Sequence, residues 1–226
     1  ALQPLIADLK AGTVPDASLH LQKAARLGAQ MLARLATASP PFLVEEPGAL
    51  PALVAAIAAG CASAAPNLQD AAMYSSMGLS FIANAGPRLA RRVAEEPGAL
   101  PMLMAAVAAG GAAAAPSLQD MAYYSAVALA TITDAVPNFL RRVSEDPSIL
   151  PMLAAAQADG GAAAAPSLQG RAGSCALVLG LIAQAGPEHA WRVAEEPGAL
   201  LALAAALAAR RRAAMDSAIV LVHIAK

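Results

Sequence analysis

The stretch PRLARRVAEEPGALP at residues 87–101 occurs three times in this chain, at intervals of 50 residues. It returns as PNFLRRVSEDPSILP at 137–151 and as PEHAWRVAEEPGALL at 187–201, without gaps. A second stretch, GGAAAAPSLQD at 110–120, matches 60–70 and 160–170 at the same interval. A period of this length with helix-forming residues is typical of a solenoid, in which each unit stacks on its neighbours.

Proline divides each unit into helices, because inside a helix it loses a hydrogen bond and clashes with the preceding turn. Of the 17 prolines, 13 fall in four columns of the repeat. In the unit that begins at Pro137 we therefore expect a first helix to about Asp146 and a second from Ile149 to about Asp159. A third helix follows the next proline, so each unit has three.

The start of the third helix carries a pattern of its own. Ser117 and Asp120 have the S-x-x-D spacing of a capping box, in which the serine accepts an early backbone N–H. Asn67 and Asp70 repeat the device, and Gly170 breaks it. We expect the helix start near residue 167 to be the weakest.

Composition excludes several classes of protein. With 226 residues, 64 of them alanine, and only 14% charged, the chain is not a disordered tail. Two cysteines, Cys61 and Cys175, cannot form a disulfide scaffold, and we expect free thiols in a reducing intracellular compartment.

The net charge of −1 disfavours binding to nucleic acid. Glycine and proline interrupt every long uncharged run, so we expect no membrane insertion. The start at Ala1 suggests a processed product or a fragment.

These residues resemble the armadillo repeat. The family pattern is seen as Val93-Ala94-Glu95, then GALPMLM at 98–104, then ALATI at 128–132. The resemblance implies an all-α, right-handed superhelical α-solenoid of about five three-helix repeats, a single domain over 1–226 whose first unit lacks its first helix. The units are approximately 1–38, 39–86, 87–136, 137–186 and 187–226. A HEAT-type array is the nearest alternative and follows the same stacking physics.

The units are longer than those of the family. The extra eight residues, Gly-Gly-Ala-Ala-Ala-Ala-Pro-Ser at 110–117, are interpreted as an insertion between the second and third helices that is missing from the last unit. Stacked insertions would lie along one edge of the solenoid. They are either inert or a lip that contacts a partner.

No catalytic or metal-binding constellation is found. His20, His189 and His223 occupy different repeat registers, there is no C-x-x-C, and the Gly-Gly pairs lack the lysine of a phosphate loop. We expect a protein that is not an enzyme, with no metal, no cofactor and no small-molecule substrate. Arg141 and Glu145 lie at i, i+4, a spacing that allows a weak ion pair on a solvated ridge.

In the resembled family the third helices line the concave face. Carrying the pattern over predicts nine partner-binding residues: Tyr74, Met77, Phe81, Tyr124, Val127, Thr131, Ser174, Leu177 and Leu181. Four of the seven aromatics of the chain lie on two adjacent third helices, since Tyr123 joins three of these. Apolar residues at helical spacing can also be core, and this alternative stays open.

Importin-alpha-like proteins place tryptophan and asparagine on this face to clamp an extended basic peptide. In this chain the positions that correspond to the tryptophan hold Gln30, Met77, Val127, Leu177 and Ile219. Those that correspond to the asparagine hold Arg34, Phe81, Thr131, Leu181 and His223. The clamp is missing, and we do not expect recognition of a nuclear-import signal. The low charge favours an apolar helix or a permanent subunit contact.

The expected function is a non-catalytic scaffold that binds a segment of another protein through the concave third-helix face. One alternative is a structural accessory subunit of a large assembly, held by repeat edges and inserted loops. A nucleic-acid-binding helical-repeat protein is disfavoured by the lack of a basic stripe.

Overall fold

The computed structural model describes residues 2–161, 163–201 and 204. These residues form twelve helices and part of a thirteenth at residues 199–201 and 204, with no strand among them, which confirms the all-α prediction. The helices are α1 (Gln3–Gly12), α2 (Leu19–Ala38), α3 (Pro40–Glu45), α4 (Ala49–Ala62), α5 (Pro66–Asn84), α6 (Pro87–Glu95), α7 (Ala99–Ala109), α8 (Pro116–Ala135), α9 (Pro137–Glu145), α10 (Ile149–Ala158), α11 (Pro166–Gln184) and α12 (Pro187–Glu195).

The helices recur in the order short, medium and long. The long third helices α2, α5, α8 and α11 pack side by side in that order, and the second helices α1, α4, α7 and α10 form a parallel row. The core lies between these two rows and is filled by leucine, isoleucine, valine and alanine. Residues 199–201 and 204, where the second helix of the fifth unit is expected, are helical. The rest of that helix and the expected third helix, with Ile219, His223 and the absence of the insertion there, lie outside the described residues.

The prolines of three columns lie at helix starts or between helices, as expected, and those of the fourth column do not. Every third helix from α5 to α11 begins at a proline, as do the first helices α3, α6, α9 and α12, where the missing N–H has no helical partner to lose. The column of Pro51, Pro101 and Pro151 instead lies within the first turn of α4, α7 and α10. A proline is tolerated there because first-turn N–H groups are not bonded within the helix.

The predicted capping boxes are wrong. Ala115 occupies the N-cap of α8, and no side chain caps the helix, because Pro116 takes the first helical position and moves Ser117 into the first turn. The Ser117 hydroxyl donates instead to Asp70 Oδ1 of α5, at 2.6 Å. Helix α5 likewise begins at its proline without a side-chain cap.

Gly170 has a packing role. Helix α11 begins at its proline, like α5 and α8. A Cβ atom on Gly170 would lie 2.6 Å from the ring of Tyr123 in α8. The residue that breaks the sequence pattern thus makes room for an aromatic side chain of the neighbouring repeat.

A glycine near the end of each second helix allows the third helix to cross closely. A Cβ atom on Gly110 would lie 2.2 Å from Ala122 Cβ and 2.6 Å from Leu118 O. Gly12, Gly60 and Gly160 stand in the same relation to Ala25, Ala72 and Ala172. The first glycine of each Gly-Gly pair therefore belongs to the helix crossing rather than to an inserted segment.

Part of the eight-residue segment predicted as an insertion is helical. Only residues 110–115 separate α7 from α8, since Pro116 and Ser117 are helical. One unit earlier, α4 runs on to Ala62, and only residues 63–65 separate it from α5. In the longer connection, Gln119 of α8 folds back, and its Nε2 donates to Ala112 O at 3.1 Å and to Ala114 O at 3.0 Å.

A buried arginine joins three helices of adjacent units. The Arg171 side chain in α11 is 1% exposed, and its Nη1 donates to Val107 O at 3.1 Å and Gly110 O at 2.6 Å, at the end of α7. Its Nη2 lies 2.7 Å from Asp159 Oδ2, just after α10. The same column holds buried Met121 one unit earlier, whose sulfur lies 3.9 Å from Cys61 Sγ.

Candidate functional site

The nine residues predicted to bind a partner lie on one stripe of the third helices. Each is partly exposed, while the positions between them on the same helices are buried. In α5, for example, Tyr74 and Met77 are partly exposed, whereas Ser75 and Ser76 are fully buried. We call this stripe, with Gln30 and Arg34 of α2, the third-helix face.

An aromatic cluster occupies the middle of the third-helix face. The ring centroids of Phe81 in α5 and Tyr124 in α8 are 6.4 Å apart, and those of Tyr123 and Tyr124 are 5.0 Å apart. Both pairs are tilted, at 57° and 51°, a geometry that aromatic quadrupoles favour. The structure therefore brings together three aromatic side chains from two repeats. Tyr74 is not part of this contact and lies toward α2.

Polar side chains bind the third helices to one another around this cluster. Gln30 Nε2 donates to Tyr74 Oη at 3.4 Å, which links α2 to α5. The Thr131 hydroxyl lies 3.0 Å from Asn84 Oδ1, which links α5 to α8. These bonds hold side chains of the face in place before any partner arrives. Asn84 belongs to the face and was missed, because nothing in its local sequence indicates a partner 47 residues away.

A third link is fully buried. Ser125 Oγ of α8 donates to Ser76 Oγ of α5 at 3.1 Å. Both hydroxyls lie behind the face, between the two helices. A bond between buried hydroxyls fixes the relative position of the helices, since either group alone would be costly to bury.

The third-helix face carries little charge, and its polarity changes from one end to the other. Burial raises the pKa of Tyr124, and Tyr123 and Asp120 add to the rise, so its hydroxyl keeps its proton at neutral pH. Arg34 lies exposed on α2, while Ser174, Leu177 and Leu181 make the α11 end aliphatic. The face thus runs from a polar end through an aromatic centre to an aliphatic end.

The candidate catalytic elements are not brought together. His20 lies in α2 and His189 in α12, and within the described residues no group of three histidine, cysteine, aspartate or glutamate side chains could hold a metal ion. His223 lies outside the described residues. Cys61 and Cys175 are free, and burial raises the pKa of the first thiol to about 11 and of the second to about 12. In the described part of the chain, no helix is both long and apolar enough to cross a membrane.

Two solved structures align with almost the whole chain. It is similar to a designed armadillo repeat protein, YIII(Dq)4CqI, with a TM-score of 0.58 and 15% identity over 97% of this chain and 99% of that one. An engineered protein of known crystal structure aligns over 97% of this chain and 98% of its own, with a TM-score of 0.48 and 16% identity. No family model and no curated protein matches the sequence.

The chain has an armadillo-like repeat fold, as the sequence resemblance predicted. At 15% identity the likeness concerns the fold alone. This fold generally serves as a protein-interaction scaffold and is typically non-catalytic. What a chain of this fold binds is decided by the side chains on its surface.

Proposed function

We propose that the chain is a non-catalytic scaffold that binds a segment of another protein along the concave third-helix face. The aromatic cluster of Phe81, Tyr123 and Tyr124 supports this most directly, because large aromatic groups dominate binding energy at protein interfaces. Their tilted contact spans two repeats, so a partner lying across the helices would meet all three side chains together.

The partner we propose is an apolar or amphipathic segment. The face offers aromatic groups at its centre and Leu177 and Leu181 at one end, with little charge to attract a strongly basic or acidic tail. The links Gln30–Tyr74 and Thr131–Asn84 hold part of the face in position, which lowers the entropy lost on binding. Met77 adds an adaptable side chain at the centre.

The test is a triple substitution, Tyr74→Ala, Phe81→Ala and Tyr124→Ala, in the full chain. Partner proteins captured from the native source by wild type and variant are quantified side by side. We expect the main partner to be recovered at least about tenfold less by the variant, since one interfacial hot-spot aromatic contributes about 2 kcal/mol or more. A matched control removes exposed aromatics from the first helices, Phe42→Ala and Trp191→Ala, which are 49% and 66% exposed.

Undiminished capture by a triple variant with wild-type far-ultraviolet circular dichroism would reject this face as the binding site. Equal loss with the control variant would also reject it, because first helices would then matter as much. The accessory-subunit alternative predicts that the chain purifies in a fixed stoichiometric assembly, which native mass spectrometry detects.

A further inference from the structure

A large open cleft lies on the second-helix side of the molecule, away from the third-helix face. Its volume is about 830 Å³. Leu100, Met104 and Ala105 of α7 form one wall, and Met152 of α10 faces them. The end of α9 and the turn that follows it close one side. We call this the outer cleft.

The outer cleft coincides with an irregularity in the repeat. In the turns that lead from first to second helices, Gly48, Gly98 and Gly198 adopt left-handed backbone angles, with φ of +81°, +81° and +86°. Ser148 holds the same position before α10 but has φ of −81°. Helix α10 also packs less closely on α7 than α7 packs on α4. The changed turn and the looser packing leave the space between α7 and α10 open.

The walls of the outer cleft suit an apolar side chain. Met104 and Met152 are both partly exposed and stand on opposite sides. Methionine is unbranched and polarizable, so it adapts to partners of different shape. Ala105 between them leaves room for an entering group.

The charge at the edge of the outer cleft is negative. Glu145 is exposed and forms no ion pair with any described residue, although its spacing from Arg141 allows one. Among the described residues the Asp146 carboxylate accepts from Ser148 alone, at 2.9 Å from N and 2.7 Å from Oγ, and these neutral donors leave its charge in place.

Arg142 is the positively charged residue among those that line the outer cleft, and it is already bonded elsewhere. Arg192 of α12, which reaches the same edge, donates to Ser144 O. The guanidinium of Arg142 lies 5.8 Å from the centroid of the Phe139 ring, and its Nη1 donates to Ala94 O at 3.5 Å. It is therefore drawn toward α6 and the Phe139 ring rather than left unbonded. Two carboxylates that form no ion pair with a described residue remain beside the outer cleft.

We propose that the outer cleft binds an amphipathic helix of a partner protein, whose apolar face packs between Met104 and Met152 and whose lysine or arginine pairs with Glu145 and Asp146. A groove between two helices accepts a third helix through side chains at i, i+3, i+4 and i+7. Helix α10 has 10 residues and is about 15 Å long, which matches nearly three turns of the bound helix. This site is separate from the third-helix face and does not depend on its function.

The test selects peptides of about 16 residues, long enough for a helix of four turns, from a random displayed library against the full chain. Enriched peptides are synthesised with a fluorescent label, and binding is measured by anisotropy. We expect apolar residues at helical spacing together with lysine or arginine. Ala105→Trp fills the cleft and should weaken binding by about tenfold or more, and Glu145→Lys should weaken it by about three- to tenfold.

Two matched controls come from the preceding repeat. Ala55→Trp and Glu95→Lys place the same substitutions 50 residues earlier, at exposed positions of α4 and α6 outside the outer cleft. Each should change binding by less than about twofold, as surface substitutions usually do. Because Glu145→Lys changes only an exposed side chain, it keeps the test decisive if Ala105→Trp does not fold.

Several results would overturn the proposal. They are the absence of enriched peptides, enriched peptides without a basic residue, and binding that Ala105→Trp and Glu145→Lys leave unchanged. Binding that is lost in Tyr124→Ala would place the peptides on the third-helix face instead.

Discussion

Replacing Arg171 with methionine should destabilise the fold, and the structure allows the size of the effect to be worked out. The column accepts methionine, since Met121 fills the same place one unit earlier and is fully buried. The substitution therefore keeps most of the apolar packing. What it removes are the bonds from the guanidinium to Val107 O, Gly110 O and Asp159 Oδ2.

The magnitude is a balance of opposing terms. The two carbonyl oxygens at the end of α7 lose a charged donor, at about 1.5–3 kcal/mol each. Removing the buried guanidinium recovers part of its desolvation penalty, which is several kcal/mol. Asp159 is 36% exposed and regains water, so loss of the ion pair adds little. We expect the free energy of unfolding to fall by about 2–3 kcal/mol.

The assay is urea unfolding followed by far-ultraviolet circular dichroism, with the slope compared between variants so that a change in stability is separated from a change in cooperativity. Arg141→Met is the control, because Arg141 is exposed and has no ion-pair partner among the described residues; it should cost less than about 0.5 kcal/mol. The double variant Arg171→Met/Asp159→Asn should be at most about 0.5 kcal/mol less stable than Arg171→Met. An Arg171→Met protein as stable as wild type would refute the reasoning, because desolvation would then outweigh the three bonds.

Three further predictions concern the glycine pair at 110–111, the loop between α7 and α8, and the thiol of Cys175. Gly110→Ala should lower the free energy of unfolding by about 2 kcal/mol or more, because the new Cβ meets Ala122 Cβ at 2.2 Å. Gly111→Ala is the control and should be nearly neutral in the same urea experiment, because the nearest atom to its new Cβ is 3.7 Å away. Gln119→Ala should raise amide hydrogen exchange in residues 112–115 by removing both bonds to the loop, and unchanged exchange would contradict that role. The pKa of Cys175 is raised from 9.0 to about 12 by burial, so the folded state holds its proton more tightly and stability falls as pH rises from 9 toward 12. Cys175→Ala should flatten the pH dependence of thermal unfolding in that window, and an identical slope in both proteins would count against it.

The helices and their order were predictable because their signals are local. Proline fixes its own φ and removes a donor, so a column of prolines marks helix starts whatever the tertiary structure. The expected second helix from Ile149 to about Asp159 is observed as Ile149–Ala158, and the first helix that starts at Pro137 ends at Glu145. The 50-residue period then implies stacking.

The details of the third-helix starts were not predictable in the same way. A serine three residues before an acid satisfies the capping-box pattern, but the proline beside it shifts the register by two residues. Ser117 was then free to bond Asp70, which is 47 residues earlier in the chain. A local pattern has no information about such a partner.

The candidate site shows the same division. The spacing carried over from the resembled family selected nine residues that all prove to be partly exposed on one stripe. That they bind a partner stays a prediction. The links to Gln30 and Asn84, and the place of Gly170 under the Tyr123 ring, depend on how far one helix lies from the next.

In the part of the chain that the structure describes, the sequence by itself determined the type and order of the helices, because backbone geometry and side-chain periodicity act within a few residues. Only the tertiary structure decided which side chains meet across repeats, where α7 ends and where a cleft opens. Arg171 reaches carbonyl oxygens 61 and 64 residues away, and a single serine in place of glycine accompanies a change in the packing of α10. Such contacts depend on the spacing of stacked helices to within a few tenths of an ångström, which close packing sets and no local pattern encodes.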